Sequence, residues 1–181
     1  MKGLLSAKHY KPVKKGNMIE ALKKMGFIVT KRLERKELSP DFLSRYSNLP
    51  VDYLGFLQQF QVITNECENV WFNSIEDFNG DSNSGFRWNE FELMGLETFD
   101  DDEEETEIIR CFWDTHVPIV LSVKDGYRYL SIDLSSENYG KIYCGVEPEF
   151  EESAELVCDS FNHLLGLLSS NGKEDILLNF K

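Results

Sequence analysis

Little in this chain belongs to a catalyst, a membrane span or a metal site. No apolar run approaches the ~18–20 residues of a spanning helix, and the apolar stretch Gly3–Ala7 is too short for the core of a secretory signal. A cytoplasmic protein is therefore expected. Four cysteines, Cys67, Cys111, Cys144 and Cys158, form no CxxC pair and cluster with no histidine. A zinc site thus has little support, and reduced, buried thiols are the expectation. No Walker-A loop, GxGxxG, GxSxG or HExxH occurs, and the histidines number three, His9, His116 and His163. Asp159 and His163 stand four apart in an expected helix, where such a pair is ordinarily surface structure; Cys158 and His163 point to different sides of it. Asp81-x-Asn83-x-Gly85, with Glu92 in twelfth place, echoes a calcium loop. Phe86 occupies the sixth position, where the turn needs glycine, and the fifth supplies no ligand side chain. A polar loop is the simpler reading. No catalytic residue, metal or cofactor is expected, and the chain is not read as an enzyme.

Basic residues are also scarce, 19 Lys and Arg against 32 Asp and Glu in 181 residues, for a net charge of −13. Phosphate repels such a surface, which argues against a general nucleic-acid or anionic-membrane binder. What is abundant is core material: 41% hydrophobic and 13% aromatic residues, enough for one domain of this length. The charge is unevenly laid out. Residues 1–36 carry eleven Lys/Arg and two Asp/Glu, a net of +9, whereas residues 37–181 carry a net of −22. Either the basic segment packs against the acidic body, or it is an arm that contacts a partner, or it is a solvated tail.

The periodicities predict an α+β chain. Asn17 starts a helix with Met18, Leu22 and Met25 on one face and Gly26 as its stop. Phe27–Thr30 is a short strand, and Asp41–Tyr46 adds a helical turn. Leu49-Pro50 opens a helix whose face is Val51, Leu54, Leu57 and Phe60. Val62–Thr64 and Asn69–Phe72 are strands, Ser74 caps a helical turn, Asn79–Gly85 is a loop, and Phe86–Leu96 has no clean period. Val117–Val123, Tyr127–Leu134 and Lys141–Val146 form a meander, joined first by the turn Lys124-Asp125-Gly126. Pro118 belongs near the start of its strand or on an edge. A closing helix is expected from about Ser153, with Val157, Phe161, Leu164, Leu165 and Leu168 on one face.

The outstanding local feature is Glu97–Glu107, in which eight of eleven residues are acidic and none is basic. Packed like charges repel, so the segment is expected to be solvated and poorly ordered by itself. It is either a solubilising loop or a docking surface for a strongly basic partner. A nuclease that holds phosphate with Lys and Arg is the most concrete case, because acidic side chains imitate the backbone charge and steer association. Phe99, Phe112 and Trp113 are then either apolar anchors of that surface or plain core.

The order of motifs resembles the SUKH superfamily, which includes the yeast cell-wall-assembly regulator and many bacterial immunity proteins. Leu49-Pro50-Val51-Asp52-Tyr53-Leu54-Gly55-Phe56-Leu57 matches its "LP-x-x-Y-x-x-F-L" helix, and Trp71 fits the tryptophan that follows. Phe112-Trp113 leads into Val117-Pro118-Ile119 and the turn Asp125-Gly126. Tyr127–Leu134 looks like the family's "yyaiDl", Lys141–Tyr143 like its "g-x-vy" strand, and Asp159-Ser160-Phe161-x-x-Leu164-Leu165 like its "adSFeeFL". The likeness runs over about residues 48–168. Gln61-Val62 replaces the usual Asn-Gly, and residues 1–36 have no counterpart in the minimal domain.

The resemblance implies a single α+β domain over 37–181, with a mainly antiparallel twisted sheet flanked by helices; it is silent about residues 1–36, which charge and periodicity make a partly helical basic extension. It also implies an immunity protein, monomer or homodimer, that binds and blocks a cognate basic protein toxin in the cytoplasm, with no nucleic acid or membrane partner. The alternative is a regulatory or scaffold protein. The acidic segments supply the candidate toxin-binding residues: Glu97, Asp100, Asp101, Asp102, Glu103, Glu104 and Glu105, with Trp113, then Glu147, Glu149, Glu151 and Glu152.

Overall fold

The computed structural model describes residues 15–169 together with 177, 179 and 180. Expectations for residues 1–14, His9 among them, lie outside the described residues. The chain runs α1 (Lys15–Lys24), β1 (Phe27–Lys31), α2 (Pro40–Arg45), α3 (Val51–Leu57), β2 (Phe60–Asn65), β3 (Val70–Phe72) and α4 (Ile75–Asn79). It continues through α5 (Glu90–Thr98), α6 (Glu103–Trp113), β4 (His116–Ser122), β5 (Arg128–Asp133), β6 (Ile142–Val146), β7 (Glu155–Cys158) and α7 (Phe161–Ser169). The seven strands of the described residues form one antiparallel sheet in the order of the sequence, β1 to β7. The α+β architecture expected from the periodicities is the one observed.

Alternation along the strands sends side chains to two apolar layers. On one face Phe72, Leu130, Ile132 and Cys144 meet Leu22 of α1, Phe42 of α2, Phe56 of α3 and Phe161, Leu164 and Leu168 of α7. On the other, Leu121 and Tyr129 meet Phe91 of α5, Ile109 and Trp113 of α6, and Phe150 from the loop before β7. β4 is buried along its whole length because both faces are covered there. Pro118, third in that strand, sits where the register slips between Pro118 and Val120, so its missing N–H falls at an irregularity. The Asn73 side chain donates to the Pro118 carbonyl at 2.9 Å.

Local signals fixed most element ends. Ser39 caps α2, Ser74 and Asp77 form a reciprocal capping box on α4, and Gly26 ends α1 with φ of 89°. Asp125 and Gly126 both adopt positive φ in the β4–β5 turn.

Four expectations change. The helix placed from Ser153 begins at Phe161, where the Ser160 hydroxyl accepts from the His163 N–H; Glu155–Cys158 before it is the edge strand β7. Asp159 therefore precedes the helix instead of lying on its face. Phe86–Leu96 contains the start of α5. Of the thiols, Cys144 and Cys158 are buried but Cys67 and Cys111 are exposed. Residues 15–36, read as an extension, enter the domain: Met18 and Leu22 lie in its core and β1 pairs with β2. Arg32 grips the Glu76 carboxylate with two bonds of 2.7 Å and holds its pKa below the ordinary value, while Lys36 meets Asp81 at 2.8 Å. These two basic residues pack against the acidic body.

Candidate acidic docking site

The acidic run is folded, not loose. α5 closes at Thr98, Phe99 to Asp102 make the turn, and the Asp102 carboxylate caps α6 by accepting from the Glu104 and Glu105 N–H groups at 3.1 and 3.2 Å. Glu103, Glu104 and Glu105 fill the first turn, where the positive end of the helix dipole offsets their mutual repulsion. That offset is why a segment expected to be poorly ordered instead begins a helix of 11 residues. Gly95 lets the two helices approach, since a Cβ there would lie 3.3 Å from the Ile109 side chain.

Glu97 and Asp100 to Glu104 are exposed, and Glu105 is half-buried. None of the acids from Glu97 to Glu107 is in an ion pair among the described residues. Two large apolar side chains stand out on the same hairpin, Phe99 at 42% and Ile108 at 48% exposure. An open groove of about 640 Å³ is lined by Leu96, Asp100, Glu103, Thr106, Glu107 and Arg110. Three carboxylates and one guanidinium around an apolar and hydroxyl floor suit an incoming cationic side chain.

The second acidic segment lies against the same layer. Phe150 stacks on Phe91 of α5 at 4.6 Å between ring centres. Glu151 reaches between the helices to accept from the indole N–H of Trp113, and burial raises its pKa against the pull of that bond. Glu147 is exposed, its carboxylate accepting from the Tyr127 N–H at 3.1 Å; Glu149 and Glu152 are exposed. Glu151 is thus the member of the set engaged in the interior rather than displayed.

The aromatic candidates divide. Trp113 is 1% exposed, and its carbonyl accepts from the Tyr46 hydroxyl at 2.6 Å, so it is core. Phe112 stacks on His116 at 3.9 Å. Phe99 is the exposed one of the three. Behind the hairpin, Arg45 on α2 makes bonds of 2.8 and 2.6 Å to the buried Glu92 on α5, meets Asp114 at 2.8 Å and lies over the Tyr46 ring. Sequence spacing gave no sign of this clamp, whose partners are 47 and 69 residues apart.

His116 faces Asp133 across β4 and β5 at 3.6 Å, and burial lowers its pKa despite that neighbour. No group of three or more His, Cys, Asp or Glu is placed to hold a metal among the described residues, and no described helix is long and apolar enough to cross a membrane. The arrangement displays negative charge and apolar surface on a folded helical hairpin. No family model matches the chain, and neither the curated proteins nor the solved structures contain a significant match.

Proposed function

We propose that the chain is a non-enzymatic immunity protein that binds and blocks a basic protein toxin in the cytoplasm, with the α5–α6 hairpin as its docking face. The resemblance of the motif order to the SUKH superfamily supports this reading. The observation that carries it is the carboxylate cluster Asp100–Glu104, in no ion pair among the described residues and fixed on a folded hairpin beside exposed Phe99 and Ile108. Steering by such a field raises association rates, and the apolar residues supply what charge alone does not. Restraining a toxin requires nanomolar binding or better, about −12 kcal/mol. A nuclease is the target class favoured, because an acidic hairpin imitates the phosphate its active site holds.

The test is affinity capture from the native lysate at low salt with a salt-gradient elution, followed by an activity assay on the captured protein. One basic protein recovered one-to-one, whose activity stops at stoichiometric addition of this chain, is the expected result. Recovery of several housekeeping proteins, with no activity blocked, replaces immunity with a scaffold role.

A further inference from the structure

A second recognition site lies away from the hairpin, where the sheet splits. β2 and β3 pair only at Thr64 and Trp71, so Phe60 to Ile63 have no strand partner on that side although β2 is second of seven strands. The split opens into a cleft of about 720 Å³ between β2, β3 and the 81–86 loop, within the ~300–1,000 Å³ of binding pockets. Val62 is 44% exposed there, and Trp71 and Phe86 form an edge-to-face pair at 5.4 Å.

Beside the cleft is a void of about 10 Å³ that shares Gln61, Val62, Ile63, Phe72 and Ser74 with it and is lined also by Phe56, Leu57, Phe60 and Asn73. Asn73 is 1% exposed; its amide nitrogen holds the Pro118 carbonyl, while its Oδ1 has no hydrogen-bond partner among the described residues. A buried acceptor without a donor is costly, and this void has room for a single N–H or water-sized group. The cleft lining carries four carboxylates, Glu68, Glu76, Asp77 and Asp81, and no Lys, Arg or His. Arg32 and Lys36 neutralise Glu76 and Asp81 from behind; Glu68 and Asp77 are in no ion pair among the described residues.

We propose that this cleft binds a short, extended, cationic segment of a partner protein. The segment lies along the free side of β2, in the manner of strand addition. One donor group meets Asn73 Oδ1, an apolar side chain packs on Val62, Trp71 and Phe86, and Lys or Arg side chains face the carboxylates of the lining, Glu68 first among them. Peptide backbone supplies donors at the spacing β2 lacks, and charge complementarity selects the basic sequence. The site is independent of what the α5–α6 hairpin binds.

The test is titration of the full ¹⁵N-labelled chain with a capped pentapeptide of alternating lysine and valine, with the glutamate–valine peptide as control. Saturable shifts are expected at Gln61–Thr64, the Trp71 indole and residues 82–86 at micromolar to low-millimolar peptide, with the control inert. Val62→Lys, an exposed position, and Glu68→Gln should each weaken the complex, the former by about tenfold. Neutralising Asp100, Asp101, Glu103 and Glu104 should change it by less than about threefold, through screened long-range charge alone. Shifts confined to α5 and α6, an equal response to the acidic peptide, no saturation at millimolar peptide, or unchanged affinity in both Val62→Lys and Glu68→Gln would each overturn the proposal.

Discussion

The indole N–H of Trp113 donates to the carboxylate of Glu151, 38 residues along the chain, and joins the end of α6 to the loop before β7. Glu151 is half-buried, and burial holds its pKa above the usual carboxylate value while the Trp113 bond opposes the shift. A raised folded-state pKa means that folding favours the protonated form. Stability from this group is fully present below the unfolded value of 4.5 and is lost as pH rises through the folded value. Glu151→Gln keeps the acceptor without the charge, so it should equal or exceed the parent Tm at pH 7 and lose that advantage near pH 4. Glu151→Ala leaves a buried indole N–H unpaired and should cost about 1–3 kcal/mol. Thermal melts at the two pH values check both.

Arg45 and Glu92 give a second prediction. The Glu92 side chain is 7% exposed and takes two bonds from Arg45, which is itself 27% exposed and also reaches Asp114. Arg45→Ala strands a buried carboxylate and detaches α2 from both α5 and α6. A loss of about 2–3 kcal/mol is expected in urea unfolding, discounted from a fully buried pair because Arg45 is partly hydrated. The double variant Arg45→Met/Glu92→Leu should recover most of that loss, since the carboxylate it leaves without a partner, Asp114, is exposed and hydrated.

How much of this was legible follows from where the information lies. The caps Ser39 and Ser74, the stop at Gly26 and the turn at Asp125-Gly126 are local, and each was readable within a few residues. The strand β7 was not: Val157 stands four before Phe161, a spacing a helix also satisfies, and only pairing of Glu155 to Cys158 with β6 decides for a strand. The acidic run was found as a candidate, but its helical state depends on Asp102 acting as a cap and on the dipole offsetting repulsion. Trp113 was grouped with the surface from its neighbourhood in sequence. Its burial is set by Tyr46, Tyr129 and Glu151, none of them near it in the chain. The β2–β3 split left no trace beyond two short strands.

His116 supplies a pH dependence of opposite kind. Desolvation lowers its pKa below 6.5, against the Phe112 carbonyl and Asp133, which favour the proton. The unfolded state therefore binds a proton the folded state resists. Stability is complete above about pH 6.5 and falls as pH drops from there toward the depressed folded value. Urea midpoints at pH 7.5 and 5.5 should show this decline, and His116→Gln should flatten it over that interval.

Gly145 tests the packing of the second face. A Cβ there would collide with the Phe150 carbonyl oxygen and with the ring of Tyr129, whose hydroxyl donates to that same carbonyl at 2.7 Å. Both obstacles are buried and rigid, so the ring has nowhere to swing without breaking its bond. Gly145→Ala should lose about 2–3 kcal/mol by overpacking. Tyr129→Phe alone, removing only the hydroxyl, should lose about 1 kcal/mol. The two together should fall short of the sum, because the freed ring can tilt away from the new methyl.

The docking proposal separates charge from structure at neighbouring residues of one turn. Asp100, Asp101, Glu103 and Glu104 are exposed and in no ion pair among the described residues, whereas Asp102 caps α6. Replacing those four by Asn or Gln should leave stability within about 0.5 kcal/mol. It should slow association with the basic partner about tenfold at low salt and flatten its salt dependence. Asp102→Ala should do the reverse: lose about 1 kcal/mol of stability through the missing cap while changing the association rate little. Stopped-flow association at two ionic strengths, beside urea unfolding of the same variants, distinguishes the cases. An unchanged rate in the fourfold variant would reduce the acidic run to a solvated helix start, and the search for the docking face would move to Glu147, Glu149 and Glu152.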